Sequence, residues 1–249
     1  MDLSIIIPSF KRADLLEYGL RSLAQQKIVS DYEIIVLNDG IQDNTQRVCE
    51  SYKDRLNIRY IFTGQRNHPE PVWRIPGFAI NIGAKLARGK FMVIMCPEMY
   101  LLDDCVQAVI DSLKTNSKSL VITEGKDDQD GVFLNNIKQR TNLNELNRIY
   151  TTTPDLNTEF PFFFGVSTSD FIDIGGYDED FLGNCWDDQD VIMRLKQNGA
   201  SYLKLKSRVV HLYHSRLRYE TAKIRDMWEY NKKIYDAKFG TVKRNVDRD

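Results

Sequence analysis

Trp186-Asp187-Asp188-Gln189-Asp190 places three carboxylates within four positions of an indole. The stretch follows Phe164-Gly165-Val166-Ser167 and Gly175-Gly176-Tyr177-Asp178, and 20 residues beyond it come Val210-His211-Leu212-Tyr213-His214-Ser215-Arg216. Like charges so close raise each other's pKa, and an adjoining indole lowers the local dielectric. That environment suits a carboxylate acting as general base on a hydroxyl. The plainer alternative is an acidic helix start, with Asp187 or Asp188 opening a helix over 191–197. The two are compatible, because a helix N-terminus is a rigid mount for a base. His211 and His214 are three apart, and in a strand over 208–213 they face opposite sides. One of them is therefore expected at the site, and a histidine without metal is the alternative.

The N-terminal half must position this chemistry. Ser4-Ile5-Ile6-Ile7 is a β-branched run that Pro8 is expected to end. Leu15, Leu16, Leu20, Leu23 and Ala24 fall at helical spacing over 14–26. Residues 33–37 form a second apolar strand, stopped by the turn signal Asn38-Asp39-Gly40. A polar helix over 43–53, a strand over 58–62, a helix over 78–86 ended near Gly89, and a strand over 91–95 follow. This βαβα order predicts an α/β fold with a mostly parallel, Rossmann-like sheet and helices on both faces. Ligands in such folds bind at the carboxyl ends of the strands. At those ends stand Pro8, Ser9, Phe10, Lys11 and Arg12, then Asn38 and Asp39, then Cys96, Pro97 and Glu98. Phe10 can stack on a base, Asp39 can accept a base N–H, and Glu98 can hold a divalent ion that bridges phosphates. For Asp39 the alternative is a simple turn, and for Arg12 a solvated charge.

These residues resemble family 2 inverting glycosyltransferases over nearly the whole chain. The matches are Ile7-Pro8-Ser9-Phe10, then Val36-Leu37-Asn38-Asp39-Gly40-Ile41-Gln42-Asp43, then Ala79-Ile80-Asn81-Ile82-Gly83 with Gly89. Trp228, Asn231, Tyr235, Phe239 and Gly240 are similar to the family's closing helix. The segment from Phe164 to Arg216 also resembles the acceptor-side module of the β-galactosyltransferases. The resemblance implies a GT-A-type fold with a smaller acceptor-side sheet. It implies Asp188 as catalytic base, Asp187 and Trp186 as acceptor-binding, and His214 as a metal ligand. Donor binding falls on Pro8, Phe10, Arg12, Asn38, Asp39, Arg74, Asn81 and Glu98. Two departures stand out. The family's Asp-x-Asp metal motif falls on Cys96-Pro97-Glu98: either Glu98 and His214 hold a divalent cation, Mn²⁺ or Mg²⁺, or the metal requirement is weak or absent and Lys or Arg neutralises the leaving diphosphate. The arginine that precedes the family's asparagine is Ile80, and Arg74 in the long loop over 64–77 is the substitute for phosphate contact. Trp73 in that loop serves as a sugar platform or as an anchor to the core.

Composition is that of an ordinary globular protein, 42% hydrophobic and 28% charged, and a net charge of −1 gives no pull toward nucleic acid. No apolar run approaches the roughly 20 residues that span a bilayer, and the start Met1-Asp2-Leu3-Ser4 lacks a signal peptide's basic region. Cys49, Cys96, Cys105 and Cys185 show no paired spacing, which implies free thiols in a cytoplasmic setting. Residues 125–160 are rich in Asp, Asn and Thr and are expected to be a weakly structured connection. The tail from 215 interleaves basic and acidic residues, so a solvated helix face is favoured over contact with an anionic membrane bearing a lipid-linked acceptor. One domain is expected, with a nucleotide-sugar half over 1–100, an acceptor and catalytic half over 101–214 and a helical tail over 215–249. The expected partners are a nucleotide-sugar donor, with UDP favoured by the resemblance, and a carbohydrate acceptor. A nucleotidyltransferase would need a glycine-rich loop after the first strand, and Pro8 to Ala13 contains no glycine. A sugar-nucleotide-binding module without catalysis is the remaining alternative.

Overall fold

A computed structural model describes residues 1–65, 75–156, 163–183, 185–215 and 222–240. The chain runs β1 (Leu3–Ser9), α1 (Ala13–Leu23), β2 (Tyr32–Asn38), α2 (Thr45–Glu50), β3 (Ile58–Phe62), α3 (Gly77–Leu86) and β4 (Phe91–Met95). It continues through β5 (Met99–Leu101), α4 (Cys105–Thr115), β6 (Ser119–Asp127), α5 (Val132–Lys138), α6 (Leu143–Thr152), β7 (Phe163–Ser167) and α7 (Thr168–Asp173). It ends with α8 (Asp187–Gln197), β8 (Ser201–His211) and α9 (Ala222–Phe239). The α/β fold with a mostly parallel sheet is therefore as expected.

The strands form one eight-stranded sheet in the order β3-β2-β1-β4-β7-β6-β8-β5. The first four run parallel, β7 is antiparallel to both neighbours, β6 and β8 are parallel, and β5 returns antiparallel on the edge. The strands expected to make a separate acceptor-side sheet are thus hydrogen-bonded into the main one. Alternation along β1 divides the core, because successive side chains point to opposite faces. Ile5 and Ile7 pack with Leu16, Leu20, Val106 and Val109 on one face, while Ile6 packs with Ala79, Ile80, Phe171 and Trp186 on the other.

Several expectations need correction. Pro8 does not end β1, which runs through it to Ser9. The Ser9 carbonyl accepts the Asp39 amide at 2.8 Å, so the Pro8 nitrogen faces the opposite side, where pairing with β4 has already stopped at Ile6. Over its described residues, 125–156, the segment expected to be a weakly structured connection is not a loose one. It carries α5 and α6, whose Phe133, Leu134, Ile137, Leu146 and Tyr150 pack against Tyr100, Val210 and Leu212. The last strand ends at His211, before His214. The tail helix is not merely solvated. Asn231 and Tyr235 of α9 are buried, with Trp228, Ile234 and Phe239 packed on the same cluster. Among the described residues no helix is long and apolar enough to cross a membrane.

Glu33 on β2 ties the N-terminal strands together. Its carboxylate is fully buried and accepts from Ser4 Oγ (2.9 Å), Arg59 (3.0 Å) and Arg88 (2.8 Å). Burial alone would raise its carboxyl, but the hydrogen bonds from Arg88, Arg59 and Ser4 outweigh that and hold it at about 2, below the ordinary 4.5. The stability linked to this depressed value is present above the ordinary value and lost as pH falls toward the folded one. Glu33→Gln should cost about 2 kcal/mol at pH 7, the worth of a charged hydrogen bond, and should flatten the loss of stability between pH 4.5 and about 2. Urea midpoints across that range for both proteins check it, and parallel pH curves would refute it.

Candidate active site

The site is assembled where β1, β2 and β4 end and α8 begins. Asn38, the last residue of β2, is fully buried and donates to Asp43 and to the Tyr60 hydroxyl, each at 3.2 Å. Its Oδ1 has no hydrogen-bond partner there. Asp39 is also buried and accepts from Thr63 Oγ1 at 2.8 Å. Half-buried Phe10 follows β1, with the Lys11 ammonium 5.5 Å from its ring centre. These groups supply an aromatic face and buried amide and carboxylate oxygens at neighbouring strand ends. Pro8 is buried within β1, so its ring is part of the strand rather than a donor contact.

After β4 the chain turns through Cys96-Pro97 and enters β5, where Met99 pairs with His211. The Leu212 amide donates to the Glu98 carbonyl at 2.9 Å. This pairing brings one ligand atom each from Glu98, His211 and His214 within 4.8 Å of one another. The two imidazoles meet edge-on, 5.1 Å between centres. Both histidines therefore reach the site, because β8 ends between them and strand alternation no longer applies. Asp127 at the end of β6 supports the cluster, with its carboxylate 3.2 Å from His211 Nδ1. A neutral His211 that donates Nδ1–H to Asp127 keeps its Nε2 lone pair for a cation.

His214 Nδ1 lies 2.9 Å from the Ser215 carbonyl and 3.3 Å from Arg12. It cannot donate to one and accept from the other at once. The carbonyl can only accept and is nearer, so Nδ1 carries the proton and Nε2 the lone pair. That lone pair lies 3.5 Å from Glu98 Oε1. Burial lowers the His214 pKa, partly offset by the Glu98 charge, which favours the neutral ring. Arg12 meets Glu98 Oε1 at 3.2 Å, while Glu98 Oε2 is buried without a hydrogen-bond partner. A buried carboxylate oxygen lacking a donor, beside two imidazole nitrogens, fits a divalent transition ion with mixed oxygen and nitrogen ligands.

On the opposite wall, Trp186 is only 2% exposed and packs on Trp228 (5.6 Å) and Tyr235 (4.9 Å). The expected acceptor platform is thus a core wedge: it has no free face to offer a sugar. Trp186 sits at the N-cap of α8 with φ 71°, and Asp187 and Asp188 are the first helical residues. The three acids then have different surroundings. Asp190 is fully buried and bound by Arg194 Nε and Lys238 Nζ, each at 2.8 Å. Asp188 is half-buried and accepts the Tyr177 hydroxyl at 2.7 Å. Asp187 is 6% exposed, and burial, then the Asp188 charge, push its carboxyl well above the usual range. Burial also raises Asp188, with the Tyr177 hydrogen bond acting against it. Cys96 joins the two walls: burial raises its thiol, followed by the charges of Glu98, Asp188 and Asp187.

Asn81 proves to be a bracket rather than a donor contact. Its Nδ2 donates to the Tyr177 carbonyl (2.8 Å) and to Glu179 (2.9 Å), and its Oδ1 accepts the Tyr177 amide (2.8 Å). Gly176 has φ 69°, and a Cβ there would strike Asn81 Oδ1, so both turn conformation and bracket require glycine. Arg74 and Trp73 lie outside the described residues. Sequence reasoning missed His211, Asp127 and the Tyr177–Asp188 pair. The available signal was Asp127-Asp128 ahead of His-Leu-Tyr-His: the fold sets Asp127 against His211, while the Asp128 carboxylate accepts the Phe133, Leu134 and Tyr213 amides.

A family model described as glycosyl transferase family 2 matches residues 4–175. A chondroitin synthase of Escherichia coli is 28% identical over 151 residues, 60% of this chain and 21% of that protein. A validoxylamine A glucosyltransferase of Streptomyces hygroscopicus is 35% identical over 109 residues, 43% of this chain and 24% of that protein. The matches thus span about a fifth to a quarter of these curated relatives. Among solved structures, Staphylococcus aureus TarS 1-349 in complex with UDP superposes with a TM-score of 0.64 at 18% identity, covering 94% of this chain and 65% of that one. At that identity the likeness shows the GT-A fold alone.

If Asp127 sets the His211 tautomer, Asp127→Asn should weaken Mn²⁺ binding by about 10–100-fold and leave the melting temperature within a few degrees. Calorimetric titration of Mn²⁺ measures this, and an unchanged affinity would remove Asp127 from the site.

Proposed function

Because the chain belongs to glycosyl transferase family 2, we propose that it transfers a hexose or N-acetylhexosamine, with inversion, from a nucleoside diphosphate sugar to a glycan hydroxyl. The favoured donor is UDP-linked, and the setting is surface polysaccharide or glycoconjugate synthesis. The observation that carries this reading is the cation-fitting cluster of Glu98, His211 and His214 after β4, with the Asp187–Asp188 pair opening α8 as the acid site.

Asp188 is the base. Its hydrogen bond with Tyr177 occupies Oδ1, so Oδ2 is the atom that takes the acceptor's proton as its oxygen attacks the anomeric carbon. Asp187, on the same helical turn, orients the acceptor, and burial with the Asp188 charge raises its carboxyl. On the donor side Phe10 stacks on the base, and Asp39 and Asn38 accept or donate at its edge. Glu98, His211 and His214 hold a divalent cation, Mn²⁺ ahead of Mg²⁺ because two ligands are imidazole. When bound, that ion counters the charge that builds on the departing diphosphate. Arg12, already at Glu98, adds a second positive charge at the same place.

Nucleotide-sugar hydrolysis and transfer assays with and without Mn²⁺ test the reading as a whole. Absence of both activities with every UDP sugar, alongside intact UDP binding, would instead support a binding module. Asp188→Asn should lower transfer by about 10²–10⁴ with donor affinity near normal. A variant that keeps more than a tenth of the turnover would exclude Asp188 as base. Asp39→Ala should weaken UDP binding by roughly 1.5–3 kcal/mol, the worth of a charged hydrogen bond. Unchanged affinity by calorimetry would refute the base-recognition role.

A further inference from the structure

Tyr177 is 4% exposed, and its position is fixed from several directions. Both of its backbone polar groups are held by the single side chain of Asn81, at 2.8 Å each. Its ring lies 6.1 Å from that of Phe171, and a Cβ added at Gly77 would overlap it. The hydroxyl reaches Asp188 Oδ1 at 2.7 Å. Beneath that carboxylate is a niche of about 10 Å³ lined by Leu120, Ile122, Phe164, Tyr177, Val191 and Ile192. A space that size is at the lower limit for one water, and a water also needs several polar partners. Asp188 also lines it, and the polar side chains there, Tyr177 and Asp188, are already bonded to each other at 2.7 Å, so the phenol serves this side of the carboxylate in place of solvent.

We propose that Tyr177 is a positioning residue for the transfer reaction: its hydroxyl anchors Asp188 Oδ1 and leaves Oδ2 as the atom that meets the acceptor hydroxyl. This rests on Asp188 being the base. A phenylalanine at 177 would pack equally well under Gly77 and Phe171, so the hydroxyl is not needed to fill space. The ionisable groups that face Asp188 are Asp187 on its own helix, Cys96 beyond β4, and Tyr177. Burial disfavours its charge, and among the three Tyr177 alone donates to it. Losing the hydroxyl therefore shifts the base toward its neutral form and frees its rotamer.

The test is Tyr177→Phe beside Asp188→Asn, with transfer measured from pH 5 to 9. Tyr177→Phe should lower kcat by roughly 10–100-fold at neutral pH, the equivalent of one charged hydrogen bond. The acidic limb of its profile should move to higher pH, with the donor KM and the Mn²⁺ requirement unchanged. Partial misfolding would scale the whole profile and leave its limb in place, so the limb reports on Asp188 itself. If Asp188→Asn abolishes transfer while the Tyr177→Phe limb coincides with wild type, the positioning role is overturned and the base survives. If Asp188→Asn stays active, the base assignment fails and this proposal fails with it.

Discussion

Everything at the acid pair of α8 depends on where the indole of Trp186 is buried. Cys185 and Trp186 both have positive φ, 77° and 71°, a conformation that costs a bulky residue about 1–3 kcal/mol. A tryptophan removes roughly 150–250 Å² from water, worth about 4–6 kcal/mol at 25 cal/mol per Å². That gain offsets the strain of the two residues, about 2–6 kcal/mol together, and the backbone takes the left-handed turn that starts α8 at Asp187. Asn231 of α9 locks the same turn, donating to the Leu182 (2.7 Å) and Cys185 (3.0 Å) carbonyls and accepting the Leu182 amide (2.8 Å). The C-terminal helix thus acts on the chemistry by holding the chain that enters the acid pair.

Charge balance explains why three neighbouring acids coexist. Asp190 has two cations and belongs to the scaffold, together with Arg194, which also donates to the Ile174 and Gly176 carbonyls at 2.6 Å. Asp188 has a neutral donor, which supports its charge without cancelling it. For Asp187, burial and the Asp188 charge outweigh the backbone amides that bond it and push its carboxyl well above the usual range. Glu98 is balanced on one oxygen by Arg12, and among the described residues its other oxygen has no hydrogen-bond partner.

Strands β1 to β4 were legible because each is a short apolar run between turn residues. β5 was not, since three residues become a strand only by pairing with a partner more than a hundred positions away. α5 and α6 were missed because polar residues dilute their apolar face, although Phe133, Leu134 and Ile137 have helical spacing. The acid cluster was visible because its members are adjacent in the chain. Whether Trp186 or Asn81 would face a ligand was not, because burial is decided by α9 and by the Gly-Gly turn. His211 was discounted by applying strand alternation across a strand end that falls between the two histidines.

The backbone ladder at the cation cluster has a consequence of its own. Met99 pairs with His211, the Glu98 carbonyl takes the Leu212 amide, and the His211 carbonyl takes the Asp128 amide. Two of the three ligand positions, Glu98 and His211, are therefore addresses fixed by main-chain register, independent of which side chain occupies them. Cysteine at 96, where relatives of this fold are expected to carry an acid, leaves those addresses intact. The centre is in that sense a socket: its ligand chemistry can be exchanged one residue at a time, from hard oxygen toward softer nitrogen or sulfur, without rerouting the chain.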